Sequence, residues 1–173
     1  AVAGNVDPQA VAAMTREIPD QNYRQAVATY LGLWVSRNAM FQTTVGRWLQ
    51  DLEAVTHPFN RAAISMMWDF PEAVPFAESS GGANSQLNWM LRVVRREGGQ
   101  SESHAAETLR GDGARLSIGN GSVDVVITDP PYFDEAAYAD LSDFFYIWLK
   151  RGLGAELPNA FATPQTPKED EAT

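Results

Sequence analysis

The tightest constraint on this chain sits about two-thirds of the way along it. Val123, Asp124, Val125, Val126, Ile127 and Thr128 run without a break into Asp129, Pro130, Pro131 and Tyr132. A short β-branched apolar run bounded by turn residues reads as a strand buried between parallel neighbours. Two successive prolines must end it, because each fixes φ and lacks the N–H that a ladder needs. The expected geometry is a buried strand that delivers an aspartate and an aromatic at its carboxyl end, where open α/β sheets bind ligands. The competing reading is a rigid turn assembled from common turn formers. Chance yields this tetrapeptide in roughly one chain of this length in a thousand.

The turn suits one substrate group in particular. Proline carbonyls are free to accept hydrogen bonds, and the Asp129 carboxylate adds a second acceptor beside them. Two converging acceptors match an exocyclic amine with two N–H donors, and the Tyr132 ring offers a face for stacking a base. An aromatic amine is a poor nucleophile because its lone pair is delocalised into the ring. Holding both N–H bonds favours a pyramidal nitrogen that can attack a methyl sulfonium placed about 3–3.5 Å away. The base must first leave its duplex by flipping.

The preceding hundred residues have a different rhythm. Tyr23, Val27, Tyr30, Trp34, Phe41, Val45, Trp48 and Leu52 recur at spacings of three, four and seven, which predicts helix over residues 22–52 with this stripe as its core face. Gly46 and the Thr43-Thr44 pair are the places where it could break. Asn38 interrupts the stripe and reads as a hydrogen-bonding residue within the packed face. A Pro-punctuated stretch follows, then SSGGANS as a loop feeding a helix with residues 86–97 as its body, ended by Gly98-Gly99. Arg92, Arg95 and Arg96 on that helix read as a solvated face.

Beyond residue 105 the pattern becomes strand-like, with a short candidate strand over residues 106–110 ending near Asp112. A last helix is expected from about Ser142, with Phe144, Phe145, Trp148 and Leu149 on one face, Asp140 or Ser142 as its cap and Gly152 just past its end. The Pro- and acid-rich remainder reads as a frayed tail. Three segments result: a mainly helical one over 1–104, a partial catalytic core over 105–155, and a flexible tail over 156–173.

Composition narrows the function classes. The 173 residues include no cysteine, so disulfides and thiolate zinc sites are excluded, and His57 and His104 match no metal-ligand spacing. A net charge of −9 argues against gripping nucleic acid by global electrostatics. No apolar run approaches the ~20 residues that span a bilayer. Without a signal-peptide pattern at its start, the chain is expected to act in the cytoplasm and away from membranes.

Over residues 110–151 the sequence, GDGARLSIGNGSVDVVITDPPYFDEAAYADLSDFFYIWLKR, resembles the catalytic core of the large adenine-specific DNA methylases, some of which carry a zinc ribbon. HPFNRAAISMMWDFPEAVPF and TPKEDE are similar to stretches flanking that core. The resemblance implies an α/β protein: a partial Rossmann-like methyltransferase sheet of two strands, carrying a large, mainly helical insertion. It implies N6 methylation of adenine in DNA with S-adenosylmethionine. Asp129, Pro130, Pro131 and Tyr132 would hold and stack the flipped base, and Asp112 would contact the cofactor's adenine ring. No metal is implied. The family's Phe-x-Gly-x-Gly cofactor loop has no counterpart before residue 111, nor is a ribose-binding acid identifiable. The chain is therefore expected to be an internal fragment whose isolated form is inactive, with the rest of the parent polypeptide as its partner.

Three alternatives stand beside this reading. N4-cytosine or RNA guanine-N2 methylation presents the same amine to the same turn. A non-catalytic helical interaction module would place the work in residues 1–100. A metal-dependent phosphoryl-transfer site would gather Asp129, Asp134, Asp140 and Asp143.

Overall fold

The computed structural model describes residues 8–59, 62–79, 81–98, 106–109, 111–130 and 136–168. Its elements run α1 (Pro8–Thr15), α2 (Gln21–Ala39), β1 (Arg47–Leu49), a 3-10 turn (Gln50–Leu52), β2 (Ala54–Thr56), α3 (Ala83–Gly98) and α4 (Tyr138–Leu153). The fold is thus mixed, with four α-helices and one two-stranded antiparallel sheet among the described residues. Helices α1, α2 and α4 pack on one another, and α3 packs on α2.

Helix α2 starts where the chemistry of a cap requires it. Asp20 is extended, and its carboxylate accepts from the Tyr23 N–H at 2.7 Å, which satisfies one of the helix's orphan donors. Its buried face is a stripe of small residues: Ala28, Gly32, Val35 and Ala39, at spacings of four, three and four. A Cβ on Gly32 would lie 2.8 Å from Leu153 Cδ1, so glycine lets α4 approach this closely. On the other side of α4, Gly152 sits against Pro8 at the start of α1.

This corrects the sequence reading at two points. The helix ends at Ala39 and does not continue to residue 52. The aromatic stripe is also not the core face: Tyr23 is 63% exposed and Tyr30 is 49% exposed. Close helix packing selects small side chains, and the bulky ones are left on the outside. Asn38 is buried as expected. Its Nδ2 donates to the Trp34 carbonyl at 2.8 Å, and its backbone carbonyl accepts from the N–H groups of Phe41 and Gln42 at 2.9 Å, while its Oδ1 has no partner among the described residues.

Trp48 and Leu52, expected to continue the helix, lie in or beside a short hairpin in which Arg47, Trp48 and Leu49 pair with Thr56, Val55 and Ala54. Glu53 closes its loop in the left-handed region, at φ 46°. The loop before α3 is built on Gly82, where a Cβ would meet the Ala77 carbonyl oxygen at 1.9 Å. Trp34 Nε1 donates to the Ala83 carbonyl at 2.9 Å, and Gln42 Nε2 to that of Gly81 at 3.2 Å. Both bonds fix the start of α3 against α2.

Helix α4 begins four residues before Ser142, with no side-chain cap, and Gly152 is a buried residue inside it. The Pro-punctuated stretch docks on α4 through Phe59, whose ring lies 5.3 Å from Phe144 and 5.2 Å from Phe145. The described residues beyond α4, up to Lys168, are tied to the helices by side-chain bonds. Arg24 pairs with Glu156 at 3.2 Å, and Tyr146 Oη and Lys150 Nζ both donate to the Thr163 carbonyl. Thr166 and Lys168 bond Asp143 from the same side.

The strands are not where the sequence placed them. Residues 123–128 form no strand, with a bend at Asp124, and residues 106–109 carry no strand either. An interior parallel strand needs hydrogen-bonding neighbours on both edges, and no described segment lies alongside to supply them.

Candidate functional site

The segment leading to the Asp-Pro-Pro-Tyr turn holds itself together only locally. Asp112 opens it with a turn of its own. Its Oδ1 accepts from the Ala114 N–H at 2.8 Å, its carbonyl accepts from Arg115 at 3.0 Å, and the two residues form an isolated antiparallel bridge. A second turn follows, where the Ser122 N–H and Oγ both donate to the Gly119 carbonyl. Gly121 there has φ 69°, a conformation open to glycine at little steric cost.

Residues 123–130 then run irregular and exposed. Val125 is 70% exposed, Val126 74% and Ile127 91%. Asp129 and Pro130 are exposed as well, and the Asp129 carboxylate has no hydrogen-bond partner among the described residues. Pro131 and Tyr132 lie outside the described residues, so the expectation that the Tyr132 ring is reachable falls there too. Of the sequence-derived site residues, Asp129 and Pro130 are adjacent and solvent-facing, while Asp112 stands in a separate turn with its carboxylate engaged locally.

One cleft opens just after the turn in the chain, a hollow of about 410 Å³ between the Phe59 segment and the start of α4. Phe59, Tyr138 and Phe145 line it, with Ala62, Ala136, Leu141 and Ser142. Ser142 Oγ donates to the Tyr138 carbonyl at 2.7 Å, so its hydroxyl is spent on its own helix. Among the described residues its wall is aromatic and apolar, a shape that can sandwich a flat ring. Sequence reasoning assigned Phe145 to a helix face and missed Phe59 and Tyr138 as wall residues. The His-Pro-Phe string was a weak signal, because aromatics beside prolines usually just pack.

The four-aspartate alternative fares poorly. Asp140 and Asp143 converge on Lys168 Nζ, at 2.8 and 2.7 Å, and so share a cation that the chain itself supplies. The Lys168 ammonium and the Thr166 hydroxyl and amide hold the Asp143 carboxyl down to about 2. The same pair of carboxylates raises the Lys168 ammonium above its ordinary value, Asp140 contributing most. Asp134 lies outside the described residues. Among the described residues no group of three or more His, Asp or Glu side chains could hold a metal ion, and no helix is long and apolar enough to cross a membrane.

No protein-family model, no curated protein and no solved structure matches this chain.

Proposed function

We propose that this chain carries the base-holding part of an S-adenosylmethionine-dependent methyltransferase acting on N6 of adenine in DNA. The observation behind the reading is the exposed β-branched run at 123–128 leading to an Asp129 carboxylate without a partner among the described residues, and to Pro130. A β-branched run that no described residue covers leaves room for strands on both of its edges. Neighbouring strands of a Rossmann-like methyltransferase sheet, from the rest of the parent polypeptide, would cover it and fix Asp129 at the sheet's carboxyl edge. There the carboxylate and the Pro130 carbonyl would each accept one N–H of the exocyclic amine, aiming the nitrogen lone pair outward. Tyr132 would stack on the flipped base. The protein would work in the cytoplasm, on DNA.

The described residues do not fit S-adenosylmethionine. The Asp112 carboxylate is occupied in its own turn, and a Cβ on Gly111 or Gly113 would meet open space, so no backbone cradle surrounds a ligand there. The proposal assigns the methyl donor to the parent polypeptide's other strands and gives this chain the base alone. N4-cytosine and RNA guanine-N2 present the same two N–H donors and remain the nearest alternatives. The helical interaction module is a reading of a different class, favoured by the packed α1, α2 and α4 cluster, which stands without the turn.

The test is transfer of a labelled methyl group to adenine-containing DNA by the full parent polypeptide. Activity with wild type and its loss in Asp129→Ala, with cofactor binding retained, is the expected result. Full activity of Asp129→Ala would remove the turn from the mechanism. Labelling of cytosine or RNA instead would redirect the substrate.

A further inference from the structure

Helix α3 is held at one end. Its buried residues, Ala83 and Gln86, lie in its first turns, and every residue from Leu91 to Gly98 is exposed. Met90, Val93 and Val94 face α2 across a groove that Leu33 and Met40 line from the other side. Residues four apart form a ridge along a helix. One such ridge on α3 is Asn84, Asn88, Arg92 and Arg96, all exposed, with Arg95 beside it, and none of them lines that groove. It runs about 18 Å at 1.5 Å per residue.

The donors of this ridge have little among the described residues to satisfy them. Arg92 and Arg95 form no ion pair with a described carboxylate, and Arg96 reaches Glu97 at 3.6 Å with both side chains well exposed. A pair so open to water is screened by salt and holds neither partner firmly. Glu97 is the single acid on the helix, in a chain whose net charge is −9. Positive charge is thereby collected on one helix of an otherwise acidic molecule. Arg92 is also set in place, its guanidinium 4.8 Å from the centroid of the Trp89 ring. Stacking uses the flat face of the group and leaves its N–H edge to the solvent. An arginine already ordered loses less freedom when it binds.

A row of phosphates complements such a ridge. Guanidinium forks bond two phosphate oxygens at once, and asparagine amides donate to the same groups. A membrane-surface helix would need its apolar side free for lipid, and here Met90, Val93 and Val94 are turned to α2. We infer that the Asn84, Asn88, Arg92 and Arg96 ridge, with Arg95, contacts the phosphate backbone of duplex DNA, Trp89 setting the Arg92 guanidinium. The choice of DNA as the polyanion rests on the proposed function. The ridge supplies affinity and orientation and takes no part in reading the base, because phosphates are alike in every sequence.

The test is a titration of the 173-residue chain with short synthetic duplexes at low salt, followed through its amide and indole resonances. Asn88, Arg92, Arg95, Arg96 and the Trp89 indole should shift saturably, and alike for AT-rich and GC-rich duplexes. In the triple variant Arg92→Gln, Arg95→Gln, Arg96→Gln, affinity should fall about tenfold or more, and the slope of log affinity against log salt should flatten by about 2 to 3. Its melting curve should stay that of wild type, because all three side chains are exposed. Trp89→Leu should keep the slope and weaken binding about threefold. Shifts confined to other regions, an unaltered salt slope in the triple variant, or equal affinity for phosphatidylserine vesicles or polyglutamate would overturn the assignment. In the parent polypeptide the triple variant should raise KM for DNA and leave kcat unchanged. Methyl transfer with an unaltered KM would remove the ridge and leave the methyltransferase reading standing. Duplex binding on the ridge, with no methyl transfer by the parent, would do the reverse.

Discussion

The α1, α2 and α4 cluster and the segment over residues 106–130 draw on the same kinds of apolar residue and treat them in opposite ways. In the cluster, Leu153 is 4% exposed and Val35 4%. In the segment, Ile127 is 91% exposed and Val126 74%. Hydrophobicity does not separate them, since Ile127 is at least as apolar as Leu153. What separates them is where their contacts come from. A helix closes its backbone hydrogen bonds within itself and can then bury a face against any neighbour of suitable shape. An extended run closes none alone and must wait for strands from elsewhere. The region that folds with local help is the packed one, and among the described residues the region carrying the candidate chemistry is the exposed one.

The sharpest way to break this comparison is to truncate one side chain from each region. Leu153→Ala should destabilise the chain by about 2–5 kcal/mol, because it removes a buried side chain and leaves a cavity against Gly32. Ile127→Ala should change stability by less than about 0.5 kcal/mol. Denaturant melts of the two variants against wild type check both values. Comparable losses would mean that the 123–128 run is already packed in solution.

Function should show the reverse ranking. Asp129→Ala should leave the melting curve of the chain unchanged, yet lower methyl transfer by the parent polypeptide about a hundredfold or more, as loss of a positioning group does. Steady-state rates at saturating cofactor, compared with a melt of the same preparation, measure both.

A smaller effect tests the local start of α2. Asp20→Ala removes the acceptor of the Tyr23 N–H and should cost about 1 kcal/mol. Thermal unfolding followed by far-ultraviolet circular dichroism reads it, and Asp20→Asn should recover most of the loss.

The smallest effect concerns the docking of residues 163–168 on α4. Asp143 is held down to about 2 by Lys168 and Thr166, below its ordinary value of 3.8. Its contribution is therefore fully present above about pH 4 and lost as pH falls through about 2. Lys168 is raised above 10.5, so its contribution is present below that value and lost as pH climbs beyond it. Both groups are solvent-facing, and salt should weaken the pair further. Amide exchange at Thr166 should accelerate at both pH extremes and in high salt, while exchange in α2 stays unchanged.

Much of the helical half was legible in the residues. The helical period places the start of α2 to within a residue, and Gly98-Gly99 marks the end of α3, whose start at Ala83 lies three residues before the expected Gln86, inside the stretch read as a loop. Asn38 stood out as the polar residue in a packed face, and it is buried there. The hairpin at Arg47–Leu49 and Ala54–Thr56 was not legible, because its Trp and Leu continue the helical spacing by coincidence. The tail contacts were hidden for another reason: Thr166 and Lys168 find partners more than twenty positions away, which composition cannot show.

By itself the sequence determined where the bodies of α2, α3 and α4 lie, through a period that acts within a few residues. It also determined that an aspartate and a proline stand at the end of a β-branched run. Only the tertiary structure decided which face of α2 is inside, since helix packing rewards the small stripe that lets two backbones approach, and the aromatics are placed by what remains. It alone decided that the β-branched run lies open, because a strand's backbone bonds are made to other strands and not to itself.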